Sequence, residues 1–303
     1  MKCILLGAVG STELAARRIA AAQGWSLELV VTLPPEASGR HSDFVDLDHV
    51  AQEAGAQILH TKNANAPDCL AAMRDVDADF IFVIGWSQIC GPEFMQLTPD
   101  RIIGYHPAAL PRLRGRAPLA WTILLDEKIT AGSLFWLGKG ADDGDLIDQH
   151  YFHVASDETA RTLYDGHQMA LHIMLDRTLA KLASGYLPRQ PQDERYATWA
   201  TKRTAADGLI DWHRPAADIE RLVRAVGEPY PGAFSYSGKD KVTIWKASLI
   251  DGEKLYHAGT GQIVLHHDSG FVVKTADHLL KVDSWESESG KKPPLHSYLR
   301  DIP

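Results

Sequence analysis

The sequence has no run of about 18 or more apolar residues, few cysteines, and fewer basic than acidic side chains. The first absence predicts a chain with no transmembrane helix and no membrane partner. Cys3, Cys69 and Cys90 form no Cys-x-x-Cys pair, so neither a disulfide framework nor a zinc site is indicated and a cytoplasmic location is expected. The 31 Lys and Arg against 39 Asp and Glu give a net charge of −8, which argues against a broad nucleic-acid-binding surface.

The first half of the sequence alternates short apolar runs with segments of helical spacing. Residues 2–6, 27–32 and 79–84 are apolar runs, and the last of them (Asp-Phe-Ile-Phe-Val-Ile) is typical of a strand buried on both faces. A long amphipathic pattern covers 159–183. This alternation predicts an α/β fold with an open, mostly parallel sheet.

The pattern changes after a polar, irregular segment near residue 190. We therefore predict a first domain over 1–188, a linker over 189–206 and a second domain over 207–303. In the second domain, short strand-like runs are separated by Gly and Asp. Such spacing predicts a small barrel or sandwich.

Two loops that follow predicted strands offer binding groups, because ligands of open α/β sheets collect beyond the carboxyl ends of the strands. In the loop 7–12, which includes Gly10, Ser11 or Thr12 caps a helix; the glycines and the helix N-terminus can receive an anion, and a plain tight turn is the alternative. The loop 85–89 is Gly-Trp-Ser-Gln-Ile. Its Trp and Ile can line a pocket for a flat heterocycle. The alternative is a Trp that is buried at the rim of the core and binds no ligand.

A third loop, 104–118, carries the strongest candidate for chemistry. It contains His106 among several prolines, which stiffen a site. The later acidic loop 140–145 (Gly-Ala-Asp-Asp-Gly-Asp) can bring Asp142 to the imidazole, and a carboxylate prepares a histidine for acid–base work. A structural histidine and a solvated turn are the alternatives. The paired histidines elsewhere lack the spacing of metal ligands, so no metal is predicted.

Together these pieces resemble the 10-formyltetrahydrofolate-dependent formyltransferase family. The similar segments are His-Pro-Ala-Ala-Leu-Pro (106–111), Arg-Gly-Arg-Ala-Pro (114–118), Asp-Asp-Gly-Asp (142–145), Asp-Gly-Leu-Ile-Asp-Trp (207–212) and Tyr-Pro-Gly-Ala-Phe (230–234). The separation of His106 and Asp142, 142 − 106 = 36 positions, also agrees. The resemblance implies a Rossmann-like catalytic domain with helices on both faces, followed by a small β-rich, OB-like domain.

The resemblance also implies transfer of a formyl group from 10-formyltetrahydrofolate to a primary amine. His106 would perform acid–base work and contact the formyl oxygen, and Asp142 would orient the imidazole and accept a proton. The residues expected to bind the donor are Gly85, Trp86, Ser87, Gln88, Ile89, Leu110, Asp142 and Gly144. One departure is Gly104, where the family usually has an Asn that helps hold the formyl oxygen. Either His106 would then contribute more, or Ser87, Gln88 or a backbone N–H would replace that donor.

The expected acceptor is a small-molecule amine, by preference an amino-sugar nucleotide bound by Gly10, Ser11, Arg114 and Arg116. Loop-stabilising ion pairs are the alternative for each arginine. Methionyl-tRNA formyltransferases have basic surfaces, whereas residues 200–303 here contain 14 Lys and Arg and 14 Asp and Glu, and the loop 34–43 has one Arg, Arg40, followed by His41. A nucleic-acid acceptor is therefore disfavoured.

Several alternatives stay open from the sequence. The acceptor could be a hydroxyornithine-type amine or methionyl-tRNA. The protein could instead hydrolyse the formyl donor, or bind folate without catalysis. A homodimer is also open, and an exposed apolar patch on the second domain would indicate one.

Overall fold

A computed structural model describes residues 1–40, 43–250 and 256–300. The chain divides into two compact units: the first comprises residues 1–118, 129–153 and 165–200, and the second comprises 119–128, 154–164 and 201–303. Residues 189–200, expected in the linker, thus make their contacts within the first unit. His41 of the loop 34–43 lies outside the described residues.

The strands and helices can be given in chain order. The strands are β1 (Lys2–Leu6), β2 (Ser26–Thr32), β3 (Gln57–His60), β4 (Phe80–Val83), β5 (Ile102–His106), β6 (Arg114–Gly115), β7 (Ile129–Trp136), β8 (Leu146–His153), β9 (Trp199–Ala200), β10 (Ala233–Ser237), β11 (Asp240–Leu249), β12 (Ile263–His266), β13 (Phe271–Lys274), β14 (Leu279–Ser287) and β15 (Leu299–Arg300). The helices are α1 (Gly10–Ala21), α2 (Asp48–Ala54), α3 (Pro67–Asp75), α4 (Pro92–Met95), α5 (Pro118–Leu124), α6 (Ala160–Ala183) and α7 (Ala216–Val226).

The first unit is built on a seven-stranded sheet with the order β3-β2-β1-β4-β5-β7-β8. Strands β1 to β5 are parallel, and β7 and β8 are antiparallel to their neighbours. This topology confirms the predicted mostly parallel α/β sheet. No helix among the described residues is both long enough and apolar enough to cross a membrane.

The apolar residues of β1 explain why helices cover both faces of the sheet. Because successive side chains of a strand point to opposite faces, Cys3 and Leu5 enter one core and Ile4 and Leu6 enter another. The first core also contains buried residues of α1, α2 and α6, and the second contains those of α3 and α4. Two apolar layers therefore hold the central strands rigidly, and the loops beyond their ends start from fixed positions.

The second unit contains a six-stranded antiparallel sheet with the order β12-β13-β14-β11-β10-β15. Its buried side chains include Ile244, Phe271 and Val282. Helix α7 buries Ile219 and Val223, which lie one turn apart on the same face, and it contacts β11. The structure confirms the predicted small β-rich region.

Candidate active site

Three loops predicted to carry function lie at one edge of the first sheet. Strands β1, β4 and β5 are neighbours and run parallel, so their carboxyl ends meet at the same edge. The loop with Gly10 follows β1, the loop with Gly85 follows β4, and His106 is the last residue of β5. This edge is where ligands of open α/β sheets bind.

His106 is held in one orientation by the backbone of its own loop. Its side chain is buried, with 5% of the residue exposed, and Nε2 lies 2.7 Å from the carbonyl oxygen of Leu113. A carbonyl can only accept, so Nε2 carries the hydrogen and donates it. The other nitrogen, Nδ1, faces the Oδ2 of Asp142 at 3.6 Å. The structure thus brings together the two residues that the sequence pairs.

Asp142 lies in the loop between β7 and β8 with its backbone in the left-handed region, at φ 54°. Its Oδ2 accepts the backbone N–H of Gly115 at 2.8 Å, and its carbonyl oxygen accepts Nε2 of Gln192 at 2.8 Å. Left-handed backbone is unfavourable for a non-glycine residue. These two hydrogen bonds hold Asp142 in that conformation with its carboxylate toward His106.

The gap between His106 and Asp142 suits a shared hydrogen-bonding partner. At 3.6 Å, Nδ1 and Oδ2 are too far apart for a good direct hydrogen bond. A single N–H-bearing group can lie within hydrogen-bond distance of both atoms. Because His106 is buried, charge interactions across this gap are stronger than they would be in water. The arrangement can bind an amine and accept its proton.

The space that a side chain at position 104 would occupy is filled by other side chains. An ideal Cβ on Gly104 would lie 2.7 Å from Cζ of Phe135 and 2.7 Å from Cδ1 of Leu137. Phe135 is buried with Leu110 and Leu146, and Leu137 packs against that cluster. The space beside His106 that a longer side chain would use is therefore filled by an apolar wall. The amide of Gln88, an expected substitute, donates to the carbonyl oxygen of Lys62 at 2.6 Å.

The loop after β4 presents a half-buried Trp86 and an exposed Ile89. The indole Nε1 of Trp86 is buried and has no hydrogen-bond partner among the described residues, while Ile89 is 83% exposed. Asn65, which the sequence analysis missed, braces this loop. It donates from Nδ2 to the carbonyl oxygen of Ile89 at 2.9 Å and accepts the N–H of Gly91 at 2.6 Å. No sequence pattern marked Asn65, because its partners lie 24 and 26 positions away.

Leu110 and Gly144, both expected to bind the donor, are tied into the site by backbone contacts. The N–H of Leu110 donates to Oγ of Ser133 at 3.3 Å, and its carbonyl oxygen accepts Nε2 of Gln149 at 2.9 Å. A Cβ on Gly144 would lie 1.8 Å from the carbonyl oxygen of Trp136. The Asp142 turn therefore requires glycine at this position for its own close contact with β7.

The residues expected to contact the acceptor fall into different environments. Gly10 begins α1 and Ser11 is buried beside it. Arg116 is exposed, and no hydrogen bond or ion pair of its guanidinium occurs within the described part of the chain. Arg114 is only 2% exposed, and its guanidinium bonds Gln192 and Glu194. For Arg114 the structure therefore favours the loop-stabilising alternative over a diphosphate contact.

The segment expected as a linker makes specific contacts with the loop that follows His106. Its strand β9 pairs with β6 in parallel, and Oγ1 of Thr198 accepts the N–H of Leu113 at 2.9 Å. Gln192 and Glu194 hold Arg114. The segment looked featureless in the sequence because its contacts use isolated polar side chains and no periodic apolar pattern.

The titratable groups near the sheet include one buried neutral histidine. Burial, and secondly the charge of His106, lowers the pKa of His167 to about 3. Its ring makes an edge-to-face contact with Phe152 at 4.9 Å. Burial also raises the pKa of the Cys3 and Cys90 thiols to about 12, which leaves them unreactive. Within the described ranges, no three His, Cys, Asp or Glu side chains are grouped as metal ligands.

The first unit, one mostly parallel sheet with helices packed on both faces, has the architecture of α/β proteins that bind ligands at the carboxyl edge of the sheet. Residues 1–179 match the family model described as formyl transferase, and residues 202–303 match that described as formyl transferase, C-terminal domain. The chain therefore belongs to the formyl transferase family. This confirms the resemblance that the sequence motifs carry.

Individual relatives agree with the family match. A methionyl-tRNA formyltransferase of Ruminiclostridium cellulolyticum is 29% identical over 306 aligned positions, covering 99% of this chain and 96% of the relative. The crystal structure of WlaRD, a sugar 3N-formyl transferase solved in the presence of dTDP and 5-N-formyl-THF, superposes with a TM-score of 0.69 and 16% identity over 93% of this chain and 97% of that chain. An N-formyltransferase from Helicobacter canadensis, in complex with folinic acid and dTDP-3-aminofucose, has a TM-score of 0.68 and 16% identity over 93% and 99%. At this identity, the two structures establish the fold.

Proposed function

We propose that this protein transfers a formyl group from 10-formyltetrahydrofolate to the primary amine of a small-molecule acceptor, an amino-sugar nucleotide. The observation that carries the proposal is the pairing of His106 Nδ1 with Asp142 Oδ2 at 3.6 Å, at the ligand-binding edge of a formyl transferase fold. A buried imidazole beside a carboxylate can act as the general base that removes a proton from an amine.

The residues of the loop after β4 fit a flat heterocyclic donor. Ile89 offers an exposed apolar surface, and Trp86 has a buried indole N–H with no partner in the described chain. A folate ring can cover the exposed side chain of Ile89. Asn65 fixes the backbone on both sides of Cys90, so the loop is arranged before the donor binds.

The donor supplies an electrophilic formyl carbon, and transfer forms one C–N bond to the acceptor and breaks one to the donor. The acceptor amine attacks unprotonated, and it loses one further proton as the bond forms. Nδ1 of His106 and Oδ2 of Asp142 both lie within reach of that proton, because one amine N–H can contact them together. The proton is then available for return to the departing nitrogen.

His106 also has to stabilise the charge that develops on the formyl oxygen. Gly104 contributes no side chain, and the space beside it is occupied by Phe135 and Leu137. The protonated imidazole is thus the main positive group of this chain next to the reacting carbon. Its Nε2 remains bound to Leu113, which holds the ring in place while Nδ1 changes its protonation state.

Charge and similarity support a sugar-nucleotide acceptor. Two neighbours with the same fold are described as sugar N-formyltransferases or as complexes with a dTDP-sugar. The exposed Arg116 can pair with a diphosphate. Residues 200–303 carry balanced charges, with 14 Lys and Arg and 14 Asp and Glu. That balance provides little attraction for a tRNA backbone.

Methionyl-tRNA is a second candidate acceptor because of one specific finding, the 29% identity to a methionyl-tRNA formyltransferase over 99% of the chain. Both acceptors are therefore included in one assay. Tetrahydrofolate release from 10-formyltetrahydrofolate is followed alone and with amino-sugar nucleotides, hydroxyornithine and methionyl-tRNA. Release that requires a sugar nucleotide supports the proposal, and release that requires tRNA replaces the acceptor.

Matched variants test the two catalytic residues. Asp142→Asn keeps an acceptor for the N–H of Gly115, and His106→Gln keeps a donor for Leu113. We expect each to lower kcat by about 10²–10⁴-fold, the contribution typical of acid–base catalysis. Asp143→Asn, on the adjacent exposed residue, is the control and keeps normal activity. Near-normal rates in Asp142→Asn and His106→Gln contradict the assignment, and equal release with no acceptor identifies a hydrolase.

A further inference from the structure

One side chain, Gln192, connects both catalytic loops. Its Nε2 donates to the carbonyl oxygens of Asp142 at 2.8 Å and Gly144 at 2.7 Å. Its Oε1 accepts from Nε and Nη2 of Arg114 at 3.2 and 2.8 Å. Arg114 directly precedes Gly115, whose N–H binds the Asp142 carboxylate.

The amide of Gln192 has no spare hydrogen-bonding capacity. A glutamine amide has two N–H donors and an oxygen with two lone pairs, and these four contacts use all of them. The two ends of the amide do different work. The N–H groups hold the Asp142 turn, whereas the oxygen holds Arg114 together with the Glu194 carboxylate.

The Asp142 turn needs such support. Asp142 has a positive φ of 54°, a conformation that Asp adopts more readily than most residues with a side chain, with support from local hydrogen bonds. Its carboxylate reaches His106 because of that backbone conformation. Without the bonds from Nε2 to Asp142 and Gly144, the turn loses two of the contacts that impose it.

We propose that Gln192 is a positioning residue for catalysis: its amide N–H groups fix the Asp142 turn so that the carboxylate faces Nδ1 of His106. This inference rests on the proposed role of the His106–Asp142 pair. It assigns a function to the segment between the two family matches, residues 180–201. It also separates this function from the structural task of holding Arg114.

Gln192→Glu tests the proposal because it divides the two tasks. Glutamate keeps the oxygen that binds Arg114 but has no N–H for Asp142 and Gly144. We expect a lower melting temperature, because two partly buried carbonyl oxygens lose their donor. We also expect a fall in kcat of about 10–100-fold, since a displacement of about 1 Å can cost 100-fold. Gln262→Glu is the matched control in the second unit, because Nε2 of Gln262 also donates to a backbone carbonyl, that of His296, at 3.1 Å.

Two further readouts distinguish positioning from a structural role. In the Asp142→Asn background, Gln192→Glu lowers kcat by less than about twofold, because residues that act as a unit are not additive. Hydrogen–deuterium exchange of the Gly115 amide, which donates to Asp142, becomes faster in Gln192→Glu and stays unchanged in Gln262→Glu. The exchange measurement needs no acceptor.

The outcomes separate the two proposals. Two outcomes overturn the positioning role of Gln192 alone. One is an equal loss of kcat when Gln192→Glu is made in the natural and in the Asp142→Asn background. The other is unchanged kcat and unchanged exchange at Gly115 in Gln192→Glu, while Asp142→Asn is inactive. Near-normal activity of His106→Gln and Asp142→Asn overturns the acid–base assignment instead. In that case faster exchange at Gly115 still supports the contact between Gln192 and the turn.

Discussion

Adding a single methyl group at Gly104 tests whether an apolar wall replaces a polar side chain beside His106. In Gly104→Ala the new Cβ would lie 2.7 Å from Cζ of Phe135 and 2.7 Å from Cδ1 of Leu137. Carbon atoms at van der Waals contact are about 3.5–4.0 Å apart. Both side chains must therefore move by about 1 Å in a packed cluster.

The expected cost follows from two opposing effects. Overpacking a filled core costs about 1–3 kcal/mol. Alanine restricts the unfolded chain more than glycine, which stabilises by about 0.4–1 kcal/mol where the backbone permits it. The φ of Gly104 is not positive, so this gain applies, and overpacking exceeds it by about 1.3 kcal/mol at the midpoints of the two ranges (2 − 0.7). For a unit of this size the melting temperature should fall by about 2–8 °C.

Differential scanning calorimetry of two matched pairs checks this reasoning. Gly104→Ala is compared in the natural background and in Phe135→Leu, which removes the ring atoms nearest to the new methyl group. The fall should shrink by at least half in the second background. Gly39→Ala is the control, because no heavy atom of the described residues, apart from its chain neighbours, lies within 4 Å of its Cβ position. An equal fall in both backgrounds, or none in either, refutes the idea that Phe135 fills this space.

Three further predictions concern other positions. Arg116→Ala should raise the KM for the acceptor without changing the melting temperature, whereas Arg114→Ala, which removes a buried guanidinium, should lower the melting temperature. Thr12→Val should destabilise by about 1–3 kcal/mol, because it leaves the carbonyl of Ile84 without its 2.6 Å hydrogen bond. Thr12→Ser keeps the hydroxyl and loses only a buried methyl group, so it should destabilise less. Burial lowers the pKa of His167 from 6.5 to about 3 in the folded protein, so the unfolded chain binds this proton at a higher pH than the folded chain does. The free energy of unfolding therefore has its full value above pH 6.5 and falls by up to about 1.4 kcal/mol per pH unit towards pH 3. His167→Leu should flatten the melting-temperature profile between those values.

The central sheet could be predicted because its signals are local. The apolar run at 79–84 contains β4, which covers Phe80–Val83. The expected order of strands and helices is confirmed by the sheet topology. The residue pattern of the segment 43–54 predicts one helix, but only Asp48–Ala54 is helical. Phe44 instead pairs with Val9. A pairing partner 35 positions away (44 − 9) leaves no local pattern.

The candidate site could be predicted only as a set of chemical groups. The acidic loop 140–145 and the resemblance to the formyltransferase family indicated that Asp142 pairs with His106, and the structure places them 3.6 Å apart. The sequence could not show that Leu113 orients the imidazole through its carbonyl, because backbone groups look alike in every sequence. It also could not distinguish Arg114 from Arg116. They alternate along one short segment, and only the fold buries the first.

The geometry of the site therefore depends on contacts of residues that take no part in the proposed reaction. The loop that orients His106 contains Leu113 and Ala117 in the left-handed region, with φ of 57° and 53°, and Asp142 has 54°. Such conformations each cost about 1–2 kcal/mol and persist only where neighbours impose them. Here the neighbours include Thr198 and Gln192 of one polar segment. A change in that segment relaxes the turns before it unfolds either apolar core, so activity is lost at smaller perturbations than stability.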